Sequence, residues 1–359
     1  MLLLSLACGG GPVASIELSA TDGEVPLTVE LDASGTTDAT GFAWQVDGET
    51  YEGELAEHTF LGSGSFEVTL TVTDDKERED VLTATVEVSP PSCPTDGEVE
   101  ELGEVQDASL TEISGVAEGR LNEDILWVHN DAGHATRVHA IGTDGTEHGI
   151  WKLQQAPSGD LEDIAAVTID GVHYLVVADT GDNNKVRDDY TLYLVEEPEV
   201  PDGVADEKTN DYLAMTVRYP GGAEDCEAVF ADPVTGDIYL VTKDYEGYGG
   251  LYRKAAPHAD GDDVELEDLG GWDLGQAVTG GDLSPSGHLL VLRTYTRTAF
   301  AWTVDRTDGF VESLLAEPTC ELTLPGEQQG EAVAFTVDGS GLWVISEGSS
   351  QPVRRVALE

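Results

Sequence analysis

The stretch DCEAVFADPVTGDIYLVTKD, Asp225 to Asp244, holds two short apolar runs around a Pro/Gly/Asp turn. That pattern reads as an antiparallel pair of strands. Its opening recurs: an acidic or small residue, a small residue, then an apolar strand. The other copies are ISGVAE from Ile113, LEDIAAV from Leu161, TGGDLSP from Thr279 and QGEAVAF from Gln329, spaced by about 50–65 residues. Second strands follow as ILWVHND, YLVVADTGD, LLVLRTY and LWVISEG. Third strands follow as RVHAI, TLYLV, GLYRKA, AFAWTV and PVRRVAL. Fourth strands complete four of the units as HGIWKL, YLAMTVRY, LEDLGGWDL and CELTLP. The last unit reaches Glu359 without one, and EVEELGEVQ, ahead of the first unit, can supply it. Four-stranded units closed by a strand from the other end describe a β-propeller over 98–359. The count is five blades, or six if the long 161–225 segment merges two. Closure leaves no long exposed sheet edge.

Residues 12–89 read differently. SIELSA, LTVEL, FAWQV and SFEVTLTVTD alternate apolar and polar residues between Gly/Asp/Ser clusters, the pattern of an all-β sandwich. SPPSCPTDGE supplies a Pro-rich linker over 90–97. The fold class is therefore all-β, an immunoglobulin-like sandwich followed by a β-propeller.

The chain carries 71 Asp plus Glu against 17 Lys plus Arg, a net charge of −54. Such a field repels nucleic acid and anionic headgroups. Residues 1–11, MLLLSLACGGG, are too short to span a bilayer. They resemble the end of a bacterial lipoprotein signal, with Cys8 as the lipidation site and a glycine-rich tether after it. Membrane contact is then expected only through a lipid anchor, and the location is extracytoplasmic. Of the remaining cysteines, Cys226 and Cys320 share the predicted propeller and are the expected disulfide pair.

GEVPLTVELDASGTTD, FAWQVDGE and HTFLGSGSFEVTLTVTD resemble a PKD domain, an immunoglobulin-like module of surface proteins. The resemblance implies Trp44 as core tryptophan and Asp32–Gly35 as the turn after a strand. It implies a spacer or adhesion role and no catalysis. ISGVA, LWVHNDAG, LEDIA, GDNN, DCEAVFADPVTGDIYLVTK, LRTYT and QGEAVAFTVDGSGLWVISEG resemble an uncharacterised group of secreted bacterial propellers. A more distant likeness is to calcium-dependent phytase-like and esterase-like propellers.

In a blade, the start of strand one and the end of strand two lie on one face. Glu162, Asp163, Glu227, Asp282 and Glu331 start first strands, and Asp179 and Asp182 end a second strand inside DTGDNNKVRDD. Crowded carboxylates call for a counter-charge. Calcium, which accepts many oxygen ligands in irregular geometry, is the expected cofactor of these seven residues. Asn130, Asp131, Lys243 and Arg293 lie on the same face as candidate ligand-binding residues. The turn Ala132–His134 reads as exposed, and its histidine as inert. Two function classes follow. The first is a surface binding or scaffold module for a small molecule, polysaccharide or surface protein. The second is a calcium-dependent hydrolase of phosphoesters or esters, with Glu162 or Glu331 activating water.

Overall fold

The computed structural model describes residues 2–4, 10–131, 133, 135–157 and 159–359. Cys8 and His134 lie outside the described residues. Chain contacts divide the protein into two units, Met1–Ser92 with Val304–Ser313, and Cys93–Thr303 with Leu314–Glu359.

The first unit is a sandwich. One sheet contains Ser15–Leu18, Leu27–Asp32 and Leu55–Phe60, and the other Glu79–Ser89, Gly64–Thr73 and Gly41–Val46. Every second residue of these strands points inward, so Val29, Leu31, Phe60, Val68, Leu70, Val72 and Val86 form one core. Trp44 is buried at its centre, and its indole N–H donates to Gly53 O at 3.0 Å. Asp32 Oδ1 accepts Ser34 N–H at 2.7 Å and closes the turn expected there. The reading of 98–359 as one propeller misses that 304–313 belongs to this first unit. Its Asp305 carboxylate accepts Ser63 N–H at 3.0 Å, and Thr307 Oγ1 donates to Ser63 O at 2.8 Å.

The second unit contains five sheets whose first four strands are antiparallel, each beginning with a buried strand. These first strands are Ile113–Glu118, Leu161–Ile169, Cys226–Ala231, Val278–Leu283 and Gly330–Phe335. Each packs against the first strands of both neighbouring sheets, and the fifth packs against the first, so the ring closes. This is the topology of a five-bladed propeller. Small residues permit the close approach at the ring. A Cβ on Gly280 would stand 2.4 Å from Glu331 O, and one on Gly115 would stand 2.8 Å from Ile164 N. The fifth blade, Gly330–Phe335, Gly341–Ser346 and Pro352–Leu358, takes Asp96–Glu104 as its outer strand. The clasp thus starts at Asp96, two positions before the expected boundary.

A sixth blade is absent from the 161–225 segment. Its extra length forms Ala205–Thr209, which adds parallel to the outer strand Glu147–Leu153 of the first blade. Glu197 pins this excursion by accepting hydrogen bonds from Arg120 N, Leu121 N, Asn122 Nδ2 and Trp127 Nε1.

The expected Cys226–Cys320 pairing is also corrected. The disulfide joins Cys93 to Cys320, with Cα atoms 6.4 Å apart, while Cys226 is a buried free thiol. The two expected partners share a unit but not a radius. Cys226 opens a first strand on the central ring, whereas Cys320 opens the outermost strand of blade four. The clasp brings Cys93 to that rim, where Asp96 Oδ1 also accepts Thr323 N–H at 3.2 Å. No helix among the described residues is long and apolar enough to cross a membrane.

Candidate functional site

Every first strand carries a bulge near its start. The ladders skip one residue each, at Ser114, Glu162, Glu227, Thr279 and Glu331. A bulge re-aims one side chain, and here it repeats five times around the ring. Two positions before the bulges stand Glu112, Asp160, Asp225, Ala277 and Gln329. The second strands leave the ladder at Asp131, Thr180, Lys243, Tyr295 and Glu347. Backbone bonds Asp131 N–Glu112 O, Thr180 N–Asp160 O, Lys243 N–Asp225 O and Glu347 N–Gln329 O tie these last two sets together. One mouth therefore gathers Glu112, Asp131, Asp160, Glu162, Asp225, Glu227, Glu331 and Glu347.

Glu162 lies at the centre of that mouth. A carboxylate oxygen of Glu162 lies within 4.8 Å of ligand oxygens from Asp131 and Asp160, and in a second group one lies within 4.8 Å of oxygens from Asp225 and Glu227. Burial, then the charges of Glu227, Asp131 and Asp160, push its pKa well above the carboxylate range. Burial likewise raises Glu227 to about 7, although Lys243 opposes the shift. Lys243 Nζ bonds Glu227 Oε1 and lies 3.7 Å from Asp225 Oδ2. Burial lowers the pKa of the ammonium, but the adjoining Glu227 more than offsets that. Asp160 is raised by burial and by Asp131. On the far side, burial and the neighbouring Glu347 raise Glu331 to about 8, and Gln329 Nε2 donates to Glu331 Oε1 at 3.2 Å.

Gly181 makes room for this cluster. A Cβ there would stand 1.9 Å from Glu162 Oε1 and 2.6 Å from the Asp160 carboxyl carbon. The candidate donors are all hard carboxylate oxygens, the ligand type that calcium accepts.

Several expected ligands are placed elsewhere. Asp163 is buried beneath the mouth, and its oxygens accept Ile164 N, Val229 N and Gly281 N, across three blades. Asp282 accepts Leu283 N and Phe335 N, and burial raises it to about 7. It is three residues past its bulge, so Thr279, not Asp282, is the counterpart of Glu162. Both aspartates stitch blades together through backbone amides.

The loop DTGDNNKVRDD satisfies itself. Asp182 Oδ2 accepts Val186 N, Arg187 N and Tyr190 OH. Arg187 Nη1 donates to Asp179 Oδ1 at 2.8 Å, so a guanidinium fills the place expected for a cation. Asp179 Oδ1 also accepts Asp160 N–H at 3.0 Å and so positions the Asp160 turn. The Asn130 amide is used in the same way, by Thr111 N, Glu112 N and Ser109 O.

Arg293 and Lys243 are not equivalent. Arg293 falls two positions earlier in its second strand, is buried, and bonds Glu327 and Ala332 O. It pins blades four and five, and only Lys243 reaches the mouth. Asp160 and Asp225, outside the expected calcium set, join Glu162 in the cluster. Aligning the repeats on Glu162, Glu227 and Glu331 exposes a shared D-x-E at the two places where the cluster forms.

Residues 11–89 match the PKD domain family. A search of curated proteins finds no match. The chain is similar to a structural genomics protein of unknown function from Bacteroides thetaiotaomicron, at 9% identity and TM-score 0.40, covering 96% of this chain and 98% of that one. It is also similar to the structure titled U3-55K, at 11% identity and TM-score 0.35, covering 96% and 92%.

Proposed function

We propose that the second unit is a calcium-dependent ligand-binding propeller, displayed by a PKD-like module outside the cytoplasm. The observation that carries the reading is Glu162, which two carboxylate triads share while the single ammonium of Lys243 is already paired. Asp131 and Asp160 on one side and Asp225 and Glu227 on the other would hold the ion with it. Bound calcium supplies positive charge and open positions for oxygen ligands at the mouth. Glu162 then serves as a ligand to the ion. The PKD match supports the extracytoplasmic setting, and the lipid anchor at Cys8 belongs to the same proposal.

Glu331 favours hydrolysis as a second reading. It is raised to about 8 beside Glu347, so it keeps a proton at neutral pH and could serve a leaving group. The binding reading stands ahead because the carboxylate triads centre on Glu162, whereas the side chains beside Glu331 are Glu347 and Gln329.

Calorimetry on chelator-stripped protein tests the proposal. Calcium is expected to bind and to raise thermal stability by about 2.7 kcal/mol at 100 times its dissociation constant. Glu162→Gln and Gly181→Ala are expected to abolish binding. No binding to wild type at millimolar calcium would sink it. Turnover of phosphoesters or esters that calcium restores and Glu331→Gln removes would favour hydrolysis instead.

A further inference from the structure

Among the described residues, only three aromatic rings are more than a third exposed: Tyr245 at 73%, Tyr248 at 47% and Tyr295 at 38%. All three project from the mouth face. Tyr245 and Tyr248 follow the second strand of blade three, and Tyr295 follows that of blade four. Exposed aromatic rings are otherwise avoided here, so their gathering on two adjacent loops calls for a cause.

Both loops are held rigid by the same connection between the blades. Gly247 has φ +100°, and a Cβ there would stand 2.5 Å from Gly275, so the Tyr245 loop is pressed onto residues 273–276. Gly247 O accepts Leu274 N–H at 2.9 Å. Gln276 Oε1 accepts Thr294 Oγ1 at 3.2 Å and Thr296 Oγ1 at 2.6 Å, which fixes the Tyr295 loop. Rings held this way cost little ordering on binding.

Lys243 Nζ lies 5.5 Å from the Tyr245 ring centre and 6.0 Å from that of Tyr295. The protein's own ammonium thus already occupies the cation–π position, and a ligand ammonium would meet a like charge there. The net charge of −54 repels an anionic ligand. What the rim offers is flat apolar rings beside carboxylates that accept hydrogen bonds. A neutral, polyhydroxylated ring meets both demands: its C–H face stacks, and its hydroxyls donate.

We propose that the rim of blades three and four binds a neutral polysaccharide, with sugar rings stacked on Tyr245 and Tyr295 and hydroxyls reaching the acidic mouth. This rests on the ligand-binding reading above and names its ligand class. The test is affinity electrophoresis of the full chain through gels containing xylan, mannan, dextran or a β-1,3-glucan, with calcium and with chelator. Calcium calorimetry is run on the same samples. At least one gel is expected to slow wild type, and the Tyr245→Ala/Tyr295→Ala double variant is expected to bind about tenfold more weakly or worse while still binding calcium. No retardation in any of the four gels, or equal retardation of the variant, would overturn the proposal. Tyrosine-dependent binding of choline by calorimetry, without glycan binding, would overturn it in favour of an organic-cation site. Glycan binding that survives in protein unable to hold calcium would support the rim and defeat the cation reading alone.

Discussion

The disulfide offers a quantitative test of how the propeller closes. Cys93 precedes the clasp strand, and Cys320 lies on the neighbouring blade's outer strand, 227 residues later. Closing a loop of that length removes unfolded-chain entropy worth roughly 5 kcal/mol at 25 °C, an upper value for such a bond. The clasp keeps its ladder to Pro352–Leu358 without the bond, aided by Arg354–Glu101 at 3.2 Å and Arg355–Glu100 at 3.6 Å. Those pairs are half-exposed and worth little. The perturbation is Cys93→Ser with Cys320→Ser, which leaves no odd thiol. Guanidinium unfolding is followed by tryptophan fluorescence, since Trp127, Trp151, Trp272, Trp302 and Trp343 all lie in the propeller unit. A loss of about 3–5 kcal/mol is expected. Thiol titration in a Cys8→Ser background should find no reactive group in the native protein, because Cys226 is fully buried, and one after denaturation. A loss below about 1 kcal/mol, or a tryptic map joining Cys226 to Cys320, would refute the closure argument.

Two further outcomes follow from the mouth. Lys243→Met strips Glu227 and Asp225 of their counter-charge, so metal-free stability should fall by about 3–5 kcal/mol while calcium affinity rises, as differential scanning calorimetry and titration would show. The reasoning fails if both quantities stay put. Burial holds Glu227 near 7 and Glu331 near 8 in the folded state, above their ordinary value of 4.5. Groups raised on folding stabilise fully below the unfolded pKa and lose that contribution as pH rises through the folded one. Metal-free melting temperature should therefore fall from pH 4.5 to 8, and saturating calcium should flatten that slope. A metal-free profile rising over this window would contradict the buried cluster.

The blades were legible because a propeller repeats its hydrophobic pattern, and the sequence repeats with it. The opening small residues of ISGVAE, DCEAVFA and QGEAVAF are the inner strands, where backbone meets backbone and larger side chains do not fit. The mouth was legible only to the precision of a strand end. Glu162 and Asp163 are adjacent letters, yet the bulge falls on the first. Glu162 joins the open cluster, and Asp163 is spent on backbone amides of two other blades. Asp282 likewise lies three residues past Thr279, and Arg293 two positions before the counterpart of Lys243. Composition could not reveal which carboxylates already had partners, because those partners are amides and the guanidinium of Arg187, brought in by the fold.

That distinction bears on the whole charge of the chain. An acidic residue that caps a loop, as Asp182 does, is neutralised locally by N–H dipoles and needs no ion. Glu162 sits where a side chain on Gly181 would be, and its near neighbours are four more carboxylates. The calcium proposal therefore rests on one ring position and not on the 71 acidic side chains as a whole.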